Sequence, residues 1–407
     1  MNGWRTLLDS GIRAFILSHE SEDVSALALK KPPHPDWPMR LILDQIKVRQ
    51  KAARKIPQWL EIEGIVLPSA DLMEQASSWP CALYKASLVS GKNLADLTAG
   101  AGIDAFAFTS RFEKVICVER DGESAEILNH NFATLNKQAL MKASYKVVHT
   151  DAETFIKGTQ GTGAFEWVYL DPQRRQGGKT GLYQFSSGSP DVTALMPRLK
   201  EVTQNLLVKT SPVLDIARAL RELGCVAEVH IVQFEGECKE VLYLLNFEGS
   251  VQEPLLRAVS IGESGQASQW FDFTEEEERE AEAVIGLPEA YLYEPGPAFL
   301  KSGAFNLMAM RYGMRKLHAH THLYTSEVAV PDFPGKGYKV LDIRSVKEGT
   351  GDIKAAELVL RNFPGTPETL RKKLKLAEGS DFRVFACTLA DETKKLIVCK
   401  KFQNSYL

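Results

Sequence analysis

The chain has 407 residues, 44% of them hydrophobic and 25% charged, with a formal net charge of −3. That length supports two or three domains with a sizeable core, and the near-balanced charge excludes a protein held to nucleic acid by bulk charge, so any RNA contact must come from local basic surface. Six scattered cysteines without a C-x-x-C read as reduced, Cys117 and Cys225 among them as core residues. No signal-like start is evident, and no apolar run approaches the roughly 20 residues needed to span a bilayer, so the expected location is the cytoplasm.

Residues 1–90 read as a helical region. Met39 to Ile46 places apolar residues at helical spacing, and Lys47, Arg49, Lys51, Arg54 and Lys55 follow, giving a basic amphipathic helix that packs on the next domain or meets phosphates. Pro32, Pro33, Pro35 and Pro38 break the chain ahead of it.

From residue 91 to 249 strand and helix patterns alternate, which predicts a parallel sheet covered on both faces. The first strand ends in Asp96-Leu97-Thr98-Ala99-Gly100-Ala101-Gly102, an acid followed by a two-glycine turn. Gly100 and Gly102 allow a sharp turn and close approach of a ligand to backbone N–H groups at the next helix start. The second strand, Val115–Val118, ends in Glu119-Arg120, an acid suited to a ribose diol. The third, Tyr145–Thr150, ends in Asp151-Ala152, an acid suited to an adenine amine. Gly100 to Ala105 also fits a dinucleotide-binding turn, but Asp96 would repel a pyrophosphate and suits an α-ammonium.

The fourth strand, Trp167–Leu170, runs into Asp171-Pro172-Gln173-Arg174-Arg175, and Lys209 to Pro212 follows the fifth; both lie at the edge where open α/β sheets bind ligands. The Gly/Ser-rich loop from Gln176 to Pro190 carries Tyr183 and Phe185, either of which offers a ring to stack on a substrate. Val226–Phe234 and Glu240–Phe247 are joined by a link too short for a crossover helix, so they pair antiparallel.

These strand ends, in this order, resemble class I S-adenosylmethionine-dependent methyltransferases over roughly residues 70–250. The implied fold is an α/β Rossmann-like sheet with its last two strands antiparallel, an N-terminal helical region and small α+β C-terminal domains. The resemblance implies S-adenosylmethionine as cofactor, bound by Asp96, Thr98, Gly100, Gly102, Glu119, Arg120, Asp151 and Ala152. In amino-methyltransferases of this class the motif after strand four is [D/N]-P-P-[Y/F/W]. Asp171 and Pro172 match it, while Gln173 and Arg174 do not, so Arg174 takes the place of the aromatic, stacking on a base or forking onto phosphate. Asp171, Pro172 and Arg174 are the expected catalytic group, and Arg174, Arg175 and Lys209 the expected acceptor contacts.

Past residue 250 the pattern changes. Thr274 followed by Glu275 to Glu280 reads as a capped, solvated helix. Tyr291 to Pro295, Lys301 to Phe305 and His322 to Ser326 resemble the ferredoxin-like middle region, expected over 250–330, of a family of uncharacterised bacterial methyltransferases. Glu74 to Ser77 and Tyr84 to Ala86 match the segment before that family's first strand. Lys354–Arg361, Pro367–Leu376, Asp381–Leu389 and Lys394–Phe402 read as strand, helix, strand, strand, and resemble the family's THUMP-like module, expected over 331–407. THUMP modules bind RNA, which implies an RNA substrate, with Arg371 and Lys372 as candidate contacts beside Lys373 and Lys375. His318, His320 and His322 alternate as on a partly exposed strand, and no metal is expected. Two other readings stay open: an RNA-binding protein with a vestigial methyltransferase domain, and a methyltransferase for a small molecule or protein.

Overall fold

A computed structural model describes residues 3–174, 185, 188–249 and 253–401. The chain divides into two compact units: Met1–Val229 with Lys239–Gln252 and Ile261–Ser268, and His230–Cys238 with Glu253–Ser260 and Gln269–Leu407.

The first unit begins with helices. Asp9 caps α1 (Ser10–Ser18) by accepting from the Gly11 and Ile12 amides at 2.9 and 3.1 Å, satisfying donors that the first turn leaves open. Helix α2 (Met39–Lys55) buries Ile42, Ile46, Val48 and Ala52, the face that its apolar spacing predicts. Ile42 and Ile46 join Trp4, Leu7, Ile12, Ile16 and Ile127 in a hydrophobic cluster, which fastens the N-terminal region to a sheet-flanking helix. The short helices α3 (Ala70–Gln75) and α4 (Trp79–Ser87) lead into the sheet.

Strand and helix then alternate through β1 (Gly91–Asp96), α5 (Ile103–Phe108), β2 (Phe112–Glu119), α6 (Gly122–Lys137), β3 (Ser144–His149), α7 (Ala152–Gly158), β4 (Phe165–Leu170), α8 (Val192–Val202), β5 (Thr203–Thr210) and α9 (Ile216–Leu223), followed by β6 (Val226–Phe234) and β7 (Glu237–Asn246). The strand order is β3-β2-β1-β4-β5-β7-β6. The first five strands are parallel, and β7 runs antiparallel to β5, with Lys209 opposite Leu242. Glu235 and Gly236, at φ 52° and 75°, form the two-residue hairpin between β6 and β7, the left-handed pair such a turn requires. The order reverses at β1 and β4, so the carboxyl ends of these strands open a crevice. The expected α/β fold is the observed one.

The second unit includes most of β8 (Leu255–Ile261) and of β9 (Ala267–Phe273), then α10 (Glu275–Glu280), which Thr274 caps as expected and Glu277 completes as a capping box. A separate seven-stranded sheet combines β10 (Tyr291–Pro295), β11 (Arg315–Lys316), β12 (Tyr324–Ser326), β13 (Gly335–Ser345), β14 (Glu357–Arg361), β15 (Phe382–Thr388) and β16 (Lys394–Lys401), in the order β11-β12-β10-β13-β16-β15-β14. Helix α11 (Pro367–Leu374) crosses between the parallel neighbours β14 and β15.

Two sequence expectations are corrected here. His318 to His322 form a turn rather than a strand, with His322 left-handed at φ 52° and its ring stacked 3.6 Å from Phe305. His318 instead meets Glu392 at 3.0 Å, and among the described residues no three His, Cys, Asp or Glu side chains gather as a metal site. Cys225 is exposed, since it occupies a positive-φ position before β6 where its side chain turns outward; Cys117 is in the core. Asp215 caps α9 by accepting from the Arg218 amide at 2.8 Å. Among the described residues no helix is long and apolar enough to cross a membrane.

Candidate functional site

The carboxyl ends of β1 to β4 border a cleft of about 560 Å³, whose opposite wall comes from the N-terminal helices through Leu7, Leu41, Gln45 and Leu72. Asp96 lies beneath the glycine turn, only 1% exposed, and its Oδ1 accepts from the Thr98 amide at 2.9 Å. Burial pushes its carboxyl well above the ordinary aspartate range; the Thr98 bond opposes this and Asp104, Asp171 and Glu119 add to it. Glu119, at the end of β2, ties the turn down: Oε2 accepts from the Gly100 amide and Oε1 from the Asp121 amide, both at 2.9 Å. Thr98, Gly100, Glu119, Arg120, Asp151 and Ala152 all line the cleft. Arg120 donates to Ser189 Oγ at 2.9 Å. Asp151 also caps α7 through Thr154 at 2.7 Å, and that amide holds its carboxyl below the usual range.

The two glycines have different causes. A Cβ at Gly102, φ 80°, would lie 2.2 Å from Leu128 Cδ1 and 3.1 Å from Phe132, so the packing of α6 by itself favours glycine there. At Gly100, φ 52°, the nearest atom is Leu72 Cδ1 at 3.5 Å, and the space belongs to the cleft.

At β4 the Asp171 amide donates to Thr98 Oγ1 at 2.8 Å, joining two strand ends, and Asp171 Oδ2 pairs with Lys209 Nζ at 2.5 Å. Lys209 is not a free acceptor contact: it is 8% exposed, sits within β5, and also meets Ser77 Oγ at 3.2 Å and Asp104 at 4.0 Å. Behind it Lys85, fully buried, holds both oxygens of Glu240 at 2.8 Å and Asp104 Oδ1 at 3.3 Å. Tyr169 OH and Ser77 Oγ donate to Asp104 Oδ2 at 2.7 and 2.9 Å. Burial disfavours the charged forms throughout. The carboxylates nevertheless raise both lysines above their ordinary value, while Lys85 and Lys209 draw Asp104 below its own; Glu240 stays raised, because its burial outweighs the attraction of Lys85.

Family models match three segments: residues 79–180 to "conserved hypothetical protein 95", 291–334 to a ferredoxin-like domain and 336–401 to a THUMP domain-like model. A solved structure from Porphyromonas gingivalis W83, named "putative methyltransferase", is 28% identical over 99% of this chain and 100% of its own, with a TM-score of 0.86. The chain belongs with the methyltransferases that carry a ferredoxin-like segment and a THUMP-like domain. An RNA methyltransferase structure from Pyrococcus horikoshii, named as "putative", is 16% identical over 48% of this chain and 96% of its own, at a TM-score of 0.30. A rRNA methylase from Streptococcus thermophilus is 12% identical over 40% and 92%, at 0.29. Neither of these two carries weight at such scores, and no curated protein matches.

In this methyltransferase-family protein, Asp171 and Gln173 reach the cleft, and Gln173 and Arg174 pair with Ser189 and Gly188 in a short antiparallel ladder. Arg175 and Tyr183 lie outside the described residues. Phe185 is no stacking ring: it is fully buried, 6.2 Å from Tyr243, with its amide on Glu222 at 3.0 Å. Arg371 is spent within its own fold, donating to the carbonyls of Ala356, Leu376 and Ala377 at 3.1, 3.3 and 2.7 Å, which leaves Lys372, Lys373 and Lys375 exposed. Sequence reasoning missed Lys85, Asp104 and Glu240. The signals available were the resemblance at Glu74–Ser77 and Tyr84–Ala86, and an acid placed two residues beyond Gly102.

Proposed function

We propose that this protein is an S-adenosylmethionine-dependent methyltransferase whose acceptor is an RNA base. The observation that carries the reading is the row of carboxylates at consecutive strand ends: Glu119 and Asp151 line one cleft of about 560 Å³, and Asp96 lies buried beneath the glycine turn that borders it. Clefts of roughly 300–1,000 Å³ suit small cofactors. The residues fit the cofactor chemically. Burial holds Asp96 toward its neutral form, which an incoming α-ammonium would ionise. Each Glu119 oxygen accepts a single backbone bond, leaving lone pairs for a ribose diol. Asp151 and Ala152 take the adenine edge, Thr98 and Gly100 the amino-acid end, and Arg120 the rim. A pyrophosphate brings Asp96 no cation and would leave it buried and neutral, which disfavours a dinucleotide.

S-adenosylmethionine supplies a methyl group already activated on a sulfonium. Catalysis by the chain is then positioning: Asp171 accepts from the acceptor's amine or hydroxyl and aims its lone pair, Pro172 shapes the turn, and Arg174 holds the acceptor. Lys209 acts through Asp171, fixing its carboxylate at 2.5 Å. The RNA assignment is supported by the THUMP-like match and by Lys372, Lys373 and Lys375 on the surface of α11 and its cap.

Tritiated S-adenosylmethionine incubated with bulk RNA from cells lacking the gene tests the reading. Incorporation into RNA, followed by mass spectrometry of its nucleosides, is the expected result. Cofactor binding without incorporation would point to a small-molecule or protein acceptor, and RNA binding without cofactor binding to a vestigial domain.

A further inference from the structure

Lys47, Lys51 and Lys55 stand at four-residue intervals on α2, so they share one face of the helix and span about 12 Å of its length. All three surround the exposed Glu74 carboxylate. The Lys51 hydrogen bond, and then the charges of Lys51, Lys55 and Lys47, hold it below the ordinary glutamate range. Lys55 Nζ donates to the main-chain carbonyls of Glu74 and, at 2.7 Å, of Ala76. The adjoining Ser77 hydroxyl meets Lys209 at 3.2 Å, and Lys209 is the partner of Asp171. Residues 74–77 therefore carry a row of ammonium groups running from exposed Lys47 to the carboxylate proposed to orient the acceptor. Lys239 lies close enough to Lys55 to repel it.

We propose that Lys47, Lys51, Lys55 and Lys239 form a binding row for the phosphodiester backbone of the acceptor strand, leading it to Asp171. This rests on the reading of the acceptor as RNA. The chain's net charge supplies no general attraction, and this row concentrates cations beside the reaction edge, with Glu74 facing all three α2 lysines. The cations repel one another at rest. Burial first, and then Lys209, Lys51 and Lys239, bring Lys55 down to about 8 against the opposing pull of Glu74. A phosphate backbone relieves that repulsion and draws a proton onto Lys55, so binding weakens once the pH passes about 8.

The test uses the full-length protein and bulk transfer RNA, with affinity measured by filter binding over a series of KCl concentrations. Lys47→Gln/Lys51→Gln is expected to lower affinity about tenfold and to flatten the salt dependence by about 1.5 log units per decade, while S-adenosylmethionine affinity, read by calorimetry, stays unchanged. Raising the pH from 8 to 9 is expected to weaken wild-type binding by up to about tenfold. Lys55→Arg, which stays charged, should abolish that loss. An unchanged salt slope in the double variant, or no difference between wild type and Lys55→Arg at pH 9, overturns this inference alone. A wild type that binds no transfer RNA at any salt overturns the RNA reading together with it.

Discussion

The buried charge cluster makes a quantitative prediction. Lys85 has no exposed surface, and its ammonium is shared by both Glu240 oxygens at 2.8 Å and by Asp104 at 3.3 Å. Lys85→Met removes the cation and strands Glu240 at 3% exposure, a loss of about 3–5 kcal/mol for breaking a buried pair from one side. Replacing both partners, Lys85→Met/Glu240→Leu, removes the stranded charge as well. It should recover more than half of the loss, because paired buried charges offset much of their attraction with desolvation. Glu240 must ionise against burial in the single variant, so its deficit should deepen as the pH rises above the ordinary glutamate range. Urea unfolding followed by tryptophan fluorescence reports the first unit, which holds Trp4, Trp37, Trp59, Trp79 and Trp167. A Lys85→Met variant within about 0.5 kcal/mol of wild type, or a double variant no better than the single, would refute this account of the cluster.

Gly102→Ala should cost about 2–4 kcal/mol in the same assay, since it combines a left-handed backbone with a 2.2 Å clash against Leu128; Gly100→Ala should cost stability only through its backbone. Asp171→Asn should slow methyl transfer to bulk RNA by about a hundredfold or more while S-adenosylmethionine affinity stays within about threefold, as measured by single-turnover incorporation and calorimetry. His322 is held neutral, its pKa lowered to about 4 by burial and then by Lys316, so the unfolded chain binds its proton first as the pH falls. Stability should therefore drop between about pH 6.5 and 4. His322→Asn, which tolerates φ 52°, should show a shallower drop in chemical unfolding over that window.

The sheet was readable because each central strand is a short apolar run ending in a polar residue at the ligand edge, and these runs are buried on both faces. The hairpin link at Glu235-Gly236 announced the antiparallel end. The charge cluster was not readable, since Lys85 and Glu240 are 155 residues apart and each looks like an ordinary solvated charge until α4 and β7 converge. For the same reason Lys209 read as an acceptor contact, although the chain buries it against Asp171. The N-terminal helices showed their apolar face in sequence but not that Leu7, Leu41 and Gln45 would wall the cleft, because periodicity gives a buried face without naming its neighbour. The alternation at His318 to His322 mimicked a strand, whereas the left-handed backbone at His322 makes a turn.

Calorimetric titration of the full-length protein with S-adenosylmethionine, and in parallel with a nicotinamide dinucleotide, tests the central claim most directly. The account predicts saturable binding of S-adenosylmethionine and no binding of the dinucleotide. Glu119→Ala should weaken the first by about 1.5–3 kcal/mol, the contribution of a charged hydrogen-bond acceptor. Saturable binding of the dinucleotide by a protein that ignores S-adenosylmethionine would contradict it.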